Sequence, residues 1–178
     1  ALNYNNIANA IGAYERTLIV PSRFDTFLNG KGDALNKEEK KGLATFINTG
    51  CISCHMGPAI GGSMYSKFGV IKEYWTYTGS KKKDEGRMSV TKNITDQYFF
   101  KVPSLRNVEH TYPYFHDGSV WDLGKAVSIM GETQLGKTLT AAEVSEIVTF
   151  LKSLTGDIPA RARELPVLPA SSEKTSRP

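Results

Sequence analysis

The sequence predicts an all-α protein of four or five helices joined by long loops. Three observations carry that prediction. Apolar residues recur every three or four positions in several segments. Two segments open with the reciprocal cap pattern of a helix start. Little alternates with period two, so any sheet is expected to be small. With 178 residues, 40% of them hydrophobic and 22% charged, the chain has the composition of one folded domain with a sizeable core.

Taken in order, Ile7, Ile11, Tyr14 and Leu18 share helical spacing, and Pro21 stops the run. A short second helix is expected to carry Phe24, Phe27 and Leu28 and to end at Asn29-Gly30. Asn36 caps a third, with Glu39 three residues on. Leu43, Phe46 and Ile47 form its apolar face, and Gly50 ends it. From Gly57 to about Tyr98 the pattern is irregular and rich in glycine and lysine. A loop region that long is uncommon unless it is functional or wraps something. Pro103 and Pro113 interrupt the next stretch. Asp122 then caps a helix with Leu123, Ala126, Val127 and Met130 on one face. The last helix starts at Thr140 with Glu143 in the capping-box position. It is expected to bury Val144, Ile147, Val148, Leu151 and Leu154 and to stop at Gly156. The ending PVLPASSEKTSRP reads as an extended arm. The expected division is a helical lead-in over 1–35, a globular domain over 36–158 and an arm over 159–178.

Charge and cysteine usage exclude several classes. The net charge is +4, and half of it comes from the tail, where Arg161, Arg163, Lys174 and Arg177 face Glu164 and Glu173. No basic helix or RNA-type motif accompanies it, which argues against nucleic acid as a partner. No apolar run reaches the roughly 18 residues of a membrane helix. The opening ALNYNNIANAIGAYERTL reads as helix rather than leader, so a mature protein or a piece of a longer one is expected. Two cysteines do not make a disulfide scaffold.

Both cysteines lie in GCISCHMGP, followed at once by a histidine. Three chemistries compete for Cys51, Cys54 and His55. A redox dithiol uses C-x-x-C, ordinarily after a strand in a βαβ unit, but here a capped amphipathic helix precedes it. Zinc needs four ligands, and only His110 and His116 remain to complete the set. Covalent haem c uses C-x-x-C-H, and this pattern fits best. The thiols would each add to a porphyrin vinyl group, and His55 would turn its imidazole to the iron. Its other nitrogen then needs a partner, and the turn around Pro58 is the candidate region for a carbonyl. A covalent haem also explains the loop-rich middle, since a large apolar cofactor can be the core for chain that lacks its own.

The sixth position decides the chemistry. An open position suits oxygen or peroxide, whereas a His/Met pair suits electron transfer. The candidates are Met56, Met64, Met88, Met130, His110 and His116. Met56 adjoins the proximal ligand and cannot reach the opposite face. Met64 and Met88 lie in loops. Met130 lies on a downstream helix, where it is either the distal ligand or a core methionine.

The stretches FINTGCISCHMGP, FKVPSLRNVEHTYPYFHDGSVWDLGKAVSIM and AIGAYERTL…SRFDTFLNG, from about Ile7 to Leu154, resemble the C-terminal half of bacterial dihaem cytochrome c peroxidases. The VPSLRN and YPYFHDG blocks, in order after one C-x-x-C-H, are the specific part. The resemblance implies a cytochrome-c-like fold wrapped around one covalent haem c, with Cys51 and Cys54 as attachment points, His55 as proximal and Met130 as distal ligand. MauG-type relatives have tyrosine in the distal place, so Met130 points to the peroxidase branch. It also implies a calcium ion at the interdomain boundary, with the carbonyls of Thr111 and Pro113 aligned to its backbone ligands; the alternative is a rigid turn. Arg106 and His116, inside the same blocks, are candidates to meet the haem propionates. On that expectation Arg106→Leu lowers the midpoint potential.

By that resemblance the segment is the high-potential electron-transfer domain of a peroxidase. It would take electrons from a small donor cytochrome or cupredoxin and pass them to an N-terminal, peroxide-reducing haem domain. A second copy of the chain is a further candidate partner. No second C-x-x-C-H is present, so the segment alone is not expected to reduce peroxide. The alternative is a free-standing monohaem carrier. Attachment of this kind places the protein in the periplasm.

Overall fold

The computed structural model describes residues 2–18, 20–164 and 167. The chain divides into two compact units: Pro21–Gly156, and a unit drawn from the two ends of the chain. In the first unit the order is α2 (Arg23–Leu28), α3 (Lys37–Thr49), β1 (Tyr65–Lys67), α4 (Tyr74–Thr78), α5 (Met88–Thr91), β2 (Phe99–Lys101), α6 (Leu123–Met130) and α7 (Ala141–Lys152). The unit of the chain ends holds α1 (Tyr4–Glu15) and a short 3-10 turn, Ala160–Ala162, at the start of the expected arm. Most of that arm lies outside the described residues. The fold is all-α, with one two-stranded antiparallel ribbon that pairs Tyr65 with Lys101 and Lys67 with Phe99.

The caps form where the sequence places them. Asn36 accepts from the Glu39 amide and Glu39 returns a carboxylate to the Asn36 amide. Thr140 and Glu143 repeat the device at α7. Asp122 accepts from the Lys125 amide at 2.6 Å. Gly50 closes α3 with a left-handed backbone, φ +105°.

The core is built where α3 crosses α7. Leu35, Phe46, Val120, Ile147, Phe150, Leu151 and Leu154 are buried there. Phe150 sits at the centre, 5.3 Å from the Phe24 ring and 5.2 Å from the Phe46 ring. The helices touch at Gly42, where a Cβ would lie 2.0 Å from the Glu146 carbonyl oxygen. Only glycine permits this approach, because even one methyl would push the helices apart.

Several expectations about faces need correction. Ile47 is 43% exposed, so the apolar face of α3 is Phe46 with Leu43 beside it. On α7 the buried residues are Ile147, Phe150 and Leu151, while Val144 and Val148 stay half-exposed. The helix ends at Lys152, short of Gly156. Ile7, Ile11 and Tyr14 lie on α1 and Leu18 on the 3-10 turn after it, Arg16–Leu18, but none of them is buried. The long irregular segment holds two short helices and the first strand of the ribbon, packed by aromatic rings. Phe68 stacks on the fully buried Tyr74 at 4.6 Å, and His116 stacks on Phe100 at 4.0 Å.

Candidate haem site

The α3 helix delivers the cysteines. Gly50 turns the chain out of it, and a single 3-10 turn, Cys51–Ser53, follows. The amides of Cys54 and His55 both donate to the Cys51 carbonyl. Cys51 and Cys54 are half-buried and form no disulfide. Burial pushes the Cys51 thiol pKa up, against a weaker downward pull from the Thr49 hydroxyl 3.4 Å away. A reactive redox thiol has the opposite shift. Among the described residues no three His, Cys, Asp or Glu side chains gather to hold a metal ion. His110 lies exposed beside Glu109, and His116 is in the aromatic stack. Among the described residues the thiols thus have neither a lowered Cys51 pKa nor a third His, Cys, Asp or Glu gathered with them.

His55 is inserted into a narrow place. Its Nδ1 is buried and closes no full hydrogen bond. Burial lowers the imidazole pKa, while the carbonyls of Ile60 and Pro103 lie close enough to pull it back up. Gly61 makes the fit possible. A Cβ there would stand 2.1 Å from the Pro103 oxygen and 3.2 Å from His55 Nδ1, and the residue has φ +123°. The carbonyls close to the imidazole are those of Ile60, in the turn around Pro58, and Pro103. Pro58's own oxygen accepts from Arg106 Nε at 2.7 Å.

The VPSLRN block proves to be a strap across this turn. Val102 accepts from the Gly62 amide and donates to the Met64 carbonyl. Ser104 Oγ donates to the Ala59 oxygen at 2.7 Å, and the Leu105 amide donates to the Ile60 oxygen at 3.2 Å. Arg106 takes Pro58 and forks onto Asp25 at 2.8 and 2.6 Å. Asn107 closes the far end, donating to the Leu154 and Gly156 oxygens and accepting from the Gly156 amide. Asp25 was not anticipated from the sequence. The Arg106 guanidinium first, and Ser22 after it, hold its carboxyl well below the usual carboxylate range.

Met130 ends α6 and is half-buried. The buried residues of that helix are Ala126 and Ile129, and Met130 is not among the side chains packed on the core. The chain continues from it into a π-helical turn, Gly131–Leu135, which the sequence did not reveal. That turn brings Leu135 to 3.6 Å from a Cβ built on Gly50, and Lys137 Nζ donates to the Thr49 carbonyl at 3.0 Å. The segment after Met130 therefore lies against the start of the cysteine turn. Thr111 and Pro113 are exposed on either side of Tyr112, in a turn with a cis Tyr112–Pro113 bond.

A family model for cytochrome c matches residues 39–155. The chain belongs to the cytochrome c family. Membership implies covalent haem c, and the two unpaired thiols, the buried Nδ1 of His55 and the close wall at Gly61 fit that group. The cytochrome c551 peroxidase of Nitrosomonas europaea is 49% identical over 174 residues, which cover 97% of this chain and 50% of that protein. That of Pseudomonas aeruginosa is 47% identical over 178 residues, covering 99% and 51%. This cytochrome c chain spans about half the length of the curated relatives it matches. A solved MauG-like protein associated with microbial copper homeostasis superposes with a TM-score of 0.68 at 25% identity, covering 88% of this chain and 58% of that one. The similarity to bacterial cytochrome c peroxidases read from the VPSLRN and YPYFHDG blocks is thus supported.

Proposed function

We propose that this chain is the electron-transfer domain of a dihaem cytochrome c peroxidase, with Cys51 and Cys54 binding the haem covalently, His55 as proximal ligand and Met130 as distal ligand. The observation that carries the reading is the His55 pocket: an imidazole with one nitrogen buried against backbone carbonyls, one residue after a half-buried thiol pair. When bound, the haem supplies a one-electron ferric/ferrous couple. The chain's part is to fix and orient it. The thiols set the edge, the strap holds the imidazole's surroundings, and Met130 at the end of α6 closes the remaining position.

In this reading no proton is moved and no substrate bond changes at this domain. A small donor cytochrome or cupredoxin supplies electrons, and peroxide is reduced at a second haem in an N-terminal domain of the complete protein. Calcium held by the Thr111 and Pro113 carbonyls, contacts from Arg106 or His116 to the propionates, a homodimer and a periplasmic location belong to the same proposal. Arg106 has a carboxylate partner of its own. Its fork is already filled by Asp25, so any propionate contact would be shared. No helix among the described residues is long and apolar enough to cross a membrane.

The test is carbon monoxide binding to the ferrous holo-protein. The wild type is expected to resist the ligand because Met130 closes the iron. Met130→Ala is expected to bind it readily. Equal binding by both would remove Met130 from the site and favour an open, ligand-binding haem.

A further inference from the structure

We infer that Arg106 and Asp25 form a latch that positions the ligating imidazole of His55, acting through the carbonyl row of Pro58, Ala59 and Ile60. This rests on the reading of His55 as the iron ligand. The geometry is specific. Arg106 uses its fork on Asp25 and its Nε on the Pro58 oxygen. Only a planar guanidinium meets both partners at once; a lysine cannot. The Arg106 side chain is 12% exposed and that of Asp25 25%, so water screens the pair only partly. Asp25 is itself fixed by the Ser22 amide at 2.7 Å and hydroxyl at 2.9 Å. The first turn of α2 is thereby tied to the turn that follows the attachment motif.

Three successive carbonyls of that turn are thus taken: Pro58 by Arg106, Ala59 by Ser104 and Ile60 by the Leu105 amide. Their peptide planes are held from rotating. The need for this shows at Ile60, which is buried with φ +50°. A β-branched residue in the left-handed region persists only where its surroundings impose it. Ile60 leads directly into Gly61, where a Cβ would stand 3.2 Å from His55 Nδ1 and 2.1 Å from the Pro103 oxygen, so the row fixes the wall and the carbonyls beside that nitrogen. A firmer acceptor at that nitrogen makes an imidazole a more basic ligand. More basic ligation favours ferric iron. Loosening the latch should therefore raise the midpoint potential.

Charge alone makes a different forecast, which separates the two accounts. Arg106→Leu would remove a positive charge and lower the potential. Asp25→Asn would remove a negative charge and raise it. Arg106→Lys would change nothing. The latch predicts a rise in all three holo-proteins, largest in Arg106→Leu, where about a tenfold shift of the ferrous/ferric ratio corresponds to about 59 mV. Arg106→Lys carries the test if Arg106→Leu does not fold. A second readout is exchange of the His55 ring N–H by NMR, expected to quicken in each variant. Unchanged potentials and exchange with haem attached overturn the latch alone, as do opposite signs for Arg106→Leu and Asp25→Asn. A wild-type preparation from a haem-attaching host that carries no haem overturns the ligand reading, and the latch with it.

Discussion

The α3–α7 frame and the turn beneath the VPSLRN strap are held by different forces. The frame is apolar: Phe46, Ile147, Phe150 and Leu154 exclude water, and two helices meet at a glycine. The strap is polar. Backbone carbonyls from Pro58 to Ile60 are each tied to a residue between Ser104 and Arg106, and one ion pair anchors the row. Frame and strap meet at Asn107, which binds the chain just after α7. The contrast has a physical lesson. Apolar burial is non-directional, whereas a carbonyl aimed at an imidazole needs directional bonds to keep its aim.

The largest effect is expected in the frame. Phe150→Ala should cost about 3–5 kcal/mol, because the ring is 1% exposed and contacts two other rings. Denaturant unfolding measures it; a loss under about 1 kcal/mol would mean that the crossing is not the centre of the core. The strap should respond next, and through pH. The folded-state pKa of Asp25 is depressed, so its contribution is complete above the unfolded carboxylate value near ~4 and is lost as pH falls below it. Asp25→Asn should cost on the order of 3 kcal/mol at neutral pH and flatten this acid loss. Glu39, depressed by Arg23, stays to titrate in the frame. An acid limb as steep in the variant as in the wild type would deny Asp25 its role. The smallest effect is at a cap: Thr140→Ala should cost about 1 kcal/mol, read as a shift in the denaturation midpoint.

The same contrast decides what the sequence could show. Caps at Asn36, Asp122 and Thr140 were legible because cap chemistry uses local side chains three residues apart. The attachment motif was legible because its spacing is itself the chemistry. The strap was not. Its acceptors are carbonyls, which leave no side-chain signature, and Asp25 lies 81 residues from Arg106. The block VPSLRN stood out as a pattern, yet nothing in its letters says that Pro103 faces the imidazole. Faces were misjudged where a helix buries less than its periodicity allows: Ile47 on α3, Val144 and Val148 on α7, and the whole apolar side of α1. Periodicity finds the apolar side of a helix, but only packing says whether another element covers it.

The central claim is that Cys51, Cys54 and His55 hold one covalent haem. The most direct test is the mass of the denatured chain after expression in a host able to attach haem c. The account predicts 19.6 kDa plus a single haem, with Cys51→Ala and Cys54→Ala each weakening attachment. A colourless protein at the mass of the bare chain would contradict it and leave the two thiols without a function.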